Sequence, residues 1–209
     1  MTHATKSELI EAIAGSEGRV LASETIGITI PLLTDVTNAE FAASMGADLI
    51  LLNMFDVQEP KIMALPEVEK EETVREVKRL TGRMVGINLE PVEESYASDN
   101  KETLWEMSAG RYATVENAIQ AQKMGVDLIV LTGNPGNGVS NPAIISSLKA
   151  ISEAVGEKIM LAAGKMHASG IIGEGGENII TKEDIRQFAE AGADIILLPA
   201  PGTVPGITT

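Results

Sequence analysis

The chain has 209 residues, 44% of them apolar, which is enough for one well-buried domain and short for two. Its 16 basic and 30 acidic side chains give a formal charge of −14, a field that repels nucleic-acid phosphates and anionic lipid, and aromatic residues at 3% leave little for base stacking. The absence of cysteine excludes disulfides, thiolate metal sites and a cysteine nucleophile and fits a cytoplasmic setting, while no apolar run approaches the ~18 residues of a membrane span and no secretory leader is visible at the start.

In chain order, a helix is expected around 6–14, followed by a short strand in RVLASE (19–24). TNAEFAASM (37–45) is helical in pattern and leads into GADLILLN (46–53), a continuous apolar strand. EVEKEETVREVKR (67–79) mixes both charges at helical spacing, so a helix over 67–81 with a solvated face precedes the strand RMVGINLEP (83–91). A helix over 112–124 precedes GVDLIVLTGN (125–134), and one over 141–155, opened by Asn141-Pro142, precedes KIMLAAGKM (158–166). Thr181 and Asp184 open a helix over 182–191 before GADIILLPAP (192–201).

Three of these strands repeat one another. GAD, GVD and GAD begin at 46, 125 and 192, spacings of 79 and 67 residues, or two β/α units each. In each, glycine ends a helix in the left-handed conformation, the Asp occupies the turn, and four apolar residues follow without alternation. Strands of that kind are covered on both faces, as in a parallel sheet under helices. An open doubly wound sheet and a (β/α)8 TIM barrel both accept the pattern. No G-x-G-x-x-G follows the first strand, whereas polar residues follow nearly every strand, which favours the barrel. About six β/α units are visible. The ending PAPGTVPGITT reads as a loop cut where the next helix would begin, so residues 1–209 are expected to form a single, partial barrel domain truncated at its C-terminus; the alternative is that another chain supplies the last two units.

The stretches LLTDVTNAEFAASMGADLILLNMFD, LTGNPGNGVSNPAI, AAGKMHASG and GADIILLPAPGTVPGIT resemble a group of bacterial TIM barrels labelled phosphoenolpyruvate phosphonomutase-like or haloacid-dehalogenase-like hydrolase. More distantly the repeat is similar to BtpA/SgcQ-type phosphate-binding barrels, aldolases and ribulose-phosphate epimerases. The resemblance implies a lyase-like or phosphonomutase-like relative, in which an Asp-rich magnesium site and a cysteine-bearing loop would be expected. With no cysteine the usual lyase form is excluded and cysteine-free relatives stay open. Haloacid-dehalogenase chemistry needs a D-x-D-x-T nucleophile after the first strand, where this chain has Ala-Ser-Glu.

Lys165, after an apolar strand, is the sharpest candidate. It is an amine for Schiff-base chemistry, a fixed cation for a substrate carboxylate or phosphate, or a lysine that only reaches solvent. It shares strand parity with Ile159, Leu161 and Ala163. His167 and Glu90 are the candidate proton movers, and Glu90 is also a candidate to orient Lys165. Glu24, Asn53, Asn88, Thr132, Asn134 and Gly164 are candidate substrate contacts at strand ends. No metal signature is present; Asp56 and Glu90 are weak candidates for Mg²⁺. The glycine-rich loop 132–140 suits an anion, and the acidic one at 170–177 suits a lid. The nine methionines are adaptable core filler.

The expected function is lyase, aldolase-like or isomerase chemistry on a small anionic or carbonyl metabolite, in a homo-oligomer without nucleic-acid or membrane partners. The alternative is a non-catalytic barrel that binds a metabolite or a regulatory partner.

Overall fold

The computed structural model describes residues 4–93, 107–133, 138–164 and 181–200. Six strands, β1 (Ala22–Ile26), β2 (Leu49–Asn53), β3 (Met84–Leu89), β4 (Leu128–Leu131), β5 (Met160–Gly164) and β6 (Ile195–Leu197), pair in sequence order, all parallel. Helix α1 (Lys6–Gly15) precedes the sheet, and α2 (Asn38–Ser44), α3 (Thr73–Thr81), α4 (Val115–Met124), α5 (Asn141–Val155) and α6 (Lys182–Glu190) alternate with the strands.

Strand order distinguishes the two architectures. A doubly wound sheet reverses its order and carries helices on both faces. Here the order never reverses, and α2 to α6 all pack on one face, against Ile50, Leu52, Ile87, Ile129, Leu131 and Leu161. The opposite face gathers Leu49, Leu51, Met84, Leu128, Val130 and Met160 into a second cluster, closed by Leu9 of α1. A sheet wound in one sense around its own apolar face is an α/β barrel wall, as expected from the polar strand ends. Four of these residues, Leu49, Met84, Leu128 and Met160, begin their strands, so α1 plugs the N-terminal end of the barrel. Its lysine Lys6 reaches Asp194 at 2.8 Å and the Gly156 carbonyl at 2.5 Å.

The repeated Gly-x-Asp signature has one structural job, performed three times. Gly46, Gly125 and Gly192 have φ of +102°, +87° and +107°, which turns each helix end toward its strand. The Asp carboxylate then accepts the N–H at the start of the preceding strand: Asp48 from Leu21 at 2.9 Å, Asp127 from Val85 at 2.9 Å, Asp194 from Leu161 at 2.8 Å. The Asp backbone N–H donates back to the same residue's carbonyl, at 2.8, 2.9 and 2.8 Å. β2, β4 and β6 are thereby clamped to β1, β3 and β5.

Several boundaries differ from expectation. The charged helix starts late: 67–69 are not helical, Lys70–Glu72 is a 3₁₀ turn, and α3 follows. The like charges of Glu67, Glu69, Glu71 and Glu72 crowd its start, and none caps it with a side chain. β1 lies at 22–26, so Glu24 is within the strand. Ser140, whose hydroxyl accepts from Ala143 N–H at 3.3 Å, caps α5 in place of Asn141. The capping box at Thr181 and Asp184 forms as expected.

Among the described residues β1 and β6 each pair on one side only. Beside β1, a groove of about 480 Å³ is lined by Leu21, Thr25, Ile26, Phe41 and Met45. Leu21, Ile28, Ile30, Leu32, Leu33 and Met45 are exposed nearby, although large apolar side chains are normally buried.

The clamps make a stability prediction. Asp127 is both a strand clamp and the partner of Lys78 at 2.7 Å, with both side chains nearly buried. Asp127→Ala should cost about 2–3 kcal/mol, the range for hydrogen bonds to a charged group, read as a shift in urea midpoint at constant m. Asp48→Ala, whose carboxylate has no ion pair among the described residues, should cost less.

Candidate active site

The barrel register decides which side chains meet. Glu24 is level with Leu51, and Asn88 with Val130 and Ala162; Leu51, Val130 and Ala162 all belong to the interior cluster. Asn53 is level with Ile26, two residues past Leu51 on the same face, and Gly164 is level with Leu197. By strand alternation Glu90 and Thr132 continue the interior rows of β3 and β4. Thus Glu24, Asn53, Asn88, Glu90, Thr132 and Gly164, all singled out from the sequence, lie on one face, and the last five lie at or just beyond C-terminal strand ends. Lys165, His167 and Asn134 fall outside the described residues, as do residues 134–137 of the first glycine-rich loop and all of the second. Leu161 and Ala163, whose parity Lys165 shares, pack on the helix side.

Each of these side chains has a specific tie. Asn53 donates from Nδ2 to Glu24 Oε1 at 2.7 Å, and its own Oδ1 accepts from Met54 N–H at 2.8 Å. Asn88 is 8% exposed; with its amide turned to satisfy its neighbours, Nδ2 donates to the Val130 and Thr132 carbonyls at 2.8 and 3.1 Å. Thr132 is buried. Gly164 has φ +147°, and a Cβ there would meet the Leu197 carbonyl oxygen at 2.3 Å, so only glycine permits β5 and β6 to approach at the rim.

Glu90 is the central charge. It is 6% exposed, and its carboxylate Oε1 is held by the Arg111 guanidinium, whose side chain is 16% exposed. The two backbones are also joined: Glu90 N–H donates to the Arg111 carbonyl at 2.8 Å, and Ala113 N–H to the Glu90 carbonyl at 3.0 Å. Glu90's second oxygen, Oε2, faces Gly133, where a Cβ would lie 3.4 Å away. Among the described residues the partner of Glu90 is Arg111, which the sequence does not single out; it sits between Gly110 and the Thr114 cap of α4, on the long connection after β3. The expected tie from Glu90 to Lys165 lies outside the described residues.

Asp56 holds a turn. Its Oδ1 accepts from Gln58 N–H at 2.7 Å and Glu59 N–H at 3.0 Å. Burial pushes this carboxyl up, but the Ser108 hydroxyl, the two amides and the Arg111 charge outweigh it and hold the pKa below the ordinary Asp value. A magnesium ion would need carboxylate oxygens turned toward one point. Asp56 is instead committed to backbone amides, Glu90 to Arg111 and Glu24 to Asn53, and no group of three ligating side chains occurs among the described residues. These residues do not fit a magnesium site.

No helix among the described residues is long and apolar enough to cross a membrane. Residues 1–209 match the family model described as "Domain of unknown function (DUF7916)". No curated protein matches the chain in sequence. Among solved structures it is similar to one from Burkholderia cenocepacia J2315 assigned as a phosphonomutase, at 17% identity and TM-score 0.53, covering 90% of this chain and 72% of that one. It is also similar to 2,3-dimethylmalate lyase, a PEP mutase/isocitrate lyase superfamily member, at 11% identity and TM-score 0.54, covering 99% of this chain and 65% of that one. At such identities the likeness shows the fold, and the chain spans about two thirds of the lyase. Both accord with the phosphonomutase side of the resemblance; the haloacid-dehalogenase and BtpA/SgcQ labels gain no support from them.

Because the ion pair is nearly buried, its two halves depend on one another. Glu90→Ala should destabilise the protein by about 3–5 kcal/mol, because it strands a buried guanidinium. The double variant Glu90→Gln with Arg111→Met should recover most of that loss in urea denaturation. If the double variant is no more stable than Glu90→Ala, the pair does not account for the cost.

Proposed function

The chain belongs to the DUF7916 family, and from the geometry of its site we propose that it is a barrel enzyme with lyase, aldolase-like or isomerase chemistry on a small carbonyl metabolite bearing a carboxylate or phosphate. The observation that carries this reading is the convergence of Glu24, Asn53, Asn88, Glu90 and Thr132 on the interior face of a barrel wall, around a buried carboxylate paired with an arginine. Barrels do their chemistry at this end. The likeness in fold to a phosphonomutase assignment and to a lyase supports the same reaction class.

In this reading Glu90 moves the proton next to the carbonyl, and Arg111 keeps its carboxylate aimed. Thr132 and Asn53 orient the substrate, while Asn88 fixes the β3–β4 rim on which Glu90 stands. Lys165 follows the last residue of β5 directly in sequence, and His167 stands two residues further on. We assign Lys165 as Schiff-base amine or anion anchor, and His167 as a second proton carrier. No step is routed through a metal. A homo-oligomer in the cytoplasm completes the proposal, supported by the exposed apolar side chains beside β1 and by the cysteine-free composition.

Borohydride reduction in the presence of a panel of aldehydes and keto acids tests the amine role. A mass adduct on the Lys165 peptide is expected, and its absence with every compound would leave only anion anchoring. Turnover of the same panel should fall by about 10²–10⁴-fold in Glu90→Gln, the usual contribution of a general acid–base group. Full activity in that variant would remove Glu90 from the chemistry.

A further inference from the structure

Asp56 belongs to β2's turn and Arg111 to the connection after β3, yet the two segments are built as one piece. Phe55 and Val57, both buried, anchor the turn on either side of Asp56. Gly110 is pressed onto the carboxylate: a Cβ there would stand 1.7 Å from Asp56 Oδ1, 2.7 Å from its Cγ and 2.8 Å from Gln58 N. Only a hydrogen fits, so the backbone of residue 110 can lie directly on the Asp56 carboxylate. The Val57 N–H donates to the Gly110 carbonyl at 3.2 Å, and the Ser108 hydroxyl bonds the same Asp56 side chain.

A second side chain closes the assembly from the helix layer. Asn117 of α4 is 3% exposed and donates from Nδ2 to the Ala109 and Tyr112 carbonyls, at 2.8 and 2.9 Å. Its Oδ1 accepts from Gln58 Nε2 at 3.1 Å, which returns the network to the Asp56 turn. Residues 108, 109, 110 and 112 are therefore each held, and Arg111 is the one between them whose side chain projects to Glu90.

We infer that Asp56 is a positioning residue for Glu90, acting through Arg111. It fixes the backbone from which the guanidinium reaches Glu90, and its charge also draws on that guanidinium. The inference rests on the reading of Glu90 as the proton mover. Asparagine in place of Asp56 would preserve the acceptor for the Gln58 and Glu59 amides and remove the charge facing Arg111. A residue that merely capped its own turn would lose little by that exchange.

Arginine labelling by phenylglyoxal, followed peptide by peptide in the mass spectrometer, reads this without any assay of turnover. In the native protein Arg111 should react far more slowly than Arg19 and Arg79, whose side chains are 70% and 65% exposed and which serve as internal references. Asp56→Asn should raise the Arg111 rate, relative to those references, by about two- to fivefold, the factor expected from losing one partly screened charge interaction. Asp56→Ala and Gly110→Ala should raise it further, at unchanged reactivity of Arg19 and Arg79. A native Arg111 rate in Asp56→Asn would overturn the inference, and so would unfolding of that variant, which would give Asp56 a structural role alone. If the alanine variants unfold, Asp56→Asn decides. A labelling increase together with no binding of any carboxylate or phosphate metabolite by the native protein would sink the proposed enzyme and leave the positioning of Arg111 standing.

Discussion

Parallel strands cannot be registered by a tight hairpin, so something at each strand start has to fix which residue meets which. Here it is an aspartate one residue before β2, β4 or β6, which accepts an N–H at the start of the strand before it and donates its own N–H to the same residue's carbonyl. A one-residue slip would send every interior side chain to the helix layer. Leu51, Val130 and Ala162 would leave the barrel interior, and Glu24 and Asn88 would leave with them. The functional face therefore depends on three carboxylates at the opposite end of the sheet. Asp127 and Asp194 are further held by Lys78 and Lys6, and through Lys6 the last clamp is tied to α1, the helix that plugs the barrel.

Once the register is fixed, the site needs a charge that stays where it is put. A carboxylate as buried as Glu90 is costly without a partner. The partner comes from a long connection, and long connections are ordinarily the mobile part of a barrel rim. Residues 108–112 of this one are held by contact of Gly110 with Asp56 and by the three bonds of Asn117. The result resembles a side chain held by a strand more than one held by a loop, although the sequence distance from Glu90 to Arg111 is large.

This division explains what could be read in advance. The barrel was legible because its signals are local and repeated: glycine, aspartate and four apolar residues, three times over. Glu24, Asn53, Asn88, Glu90 and Thr132 were legible because a polar residue stands out where an apolar strand runs toward its end. Arg111 was not, since its importance comes from a contact across 21 positions in the chain. Asp56 stood out only as a carboxylate after a strand. A carboxylate after a strand looks the same in sequence whether it will bind a cation or two backbone amides, and only the fold of residues 56–59 distinguishes them. Gly110 carried no signal of its own, because the collision that requires it lies with a turn more than fifty positions earlier.

The charge balance at the rim bears on the substrate. The described acidic groups there are Glu24, Asp56 and Glu90, and the cation facing them is Arg111, already engaged by Glu90. Such a rim, on a protein of net charge −14, does not draw in an anion by itself. An anionic metabolite would need one more positive group close to the carbonyl it presents to Glu90. Lys165, next in the sequence after Gly164, is the residue proposed for that purpose. The same requirement holds for both roles proposed for it. A protonated lysine offsets the rim's charge directly, and a lysine condensed with a carbonyl carries a positive imine at the reacting carbon. In the proposed reaction the carbonyl would meet a cation in either case. A base held by an arginine, together with a cation at the carbonyl, is what proton abstraction beside a carbonyl requires.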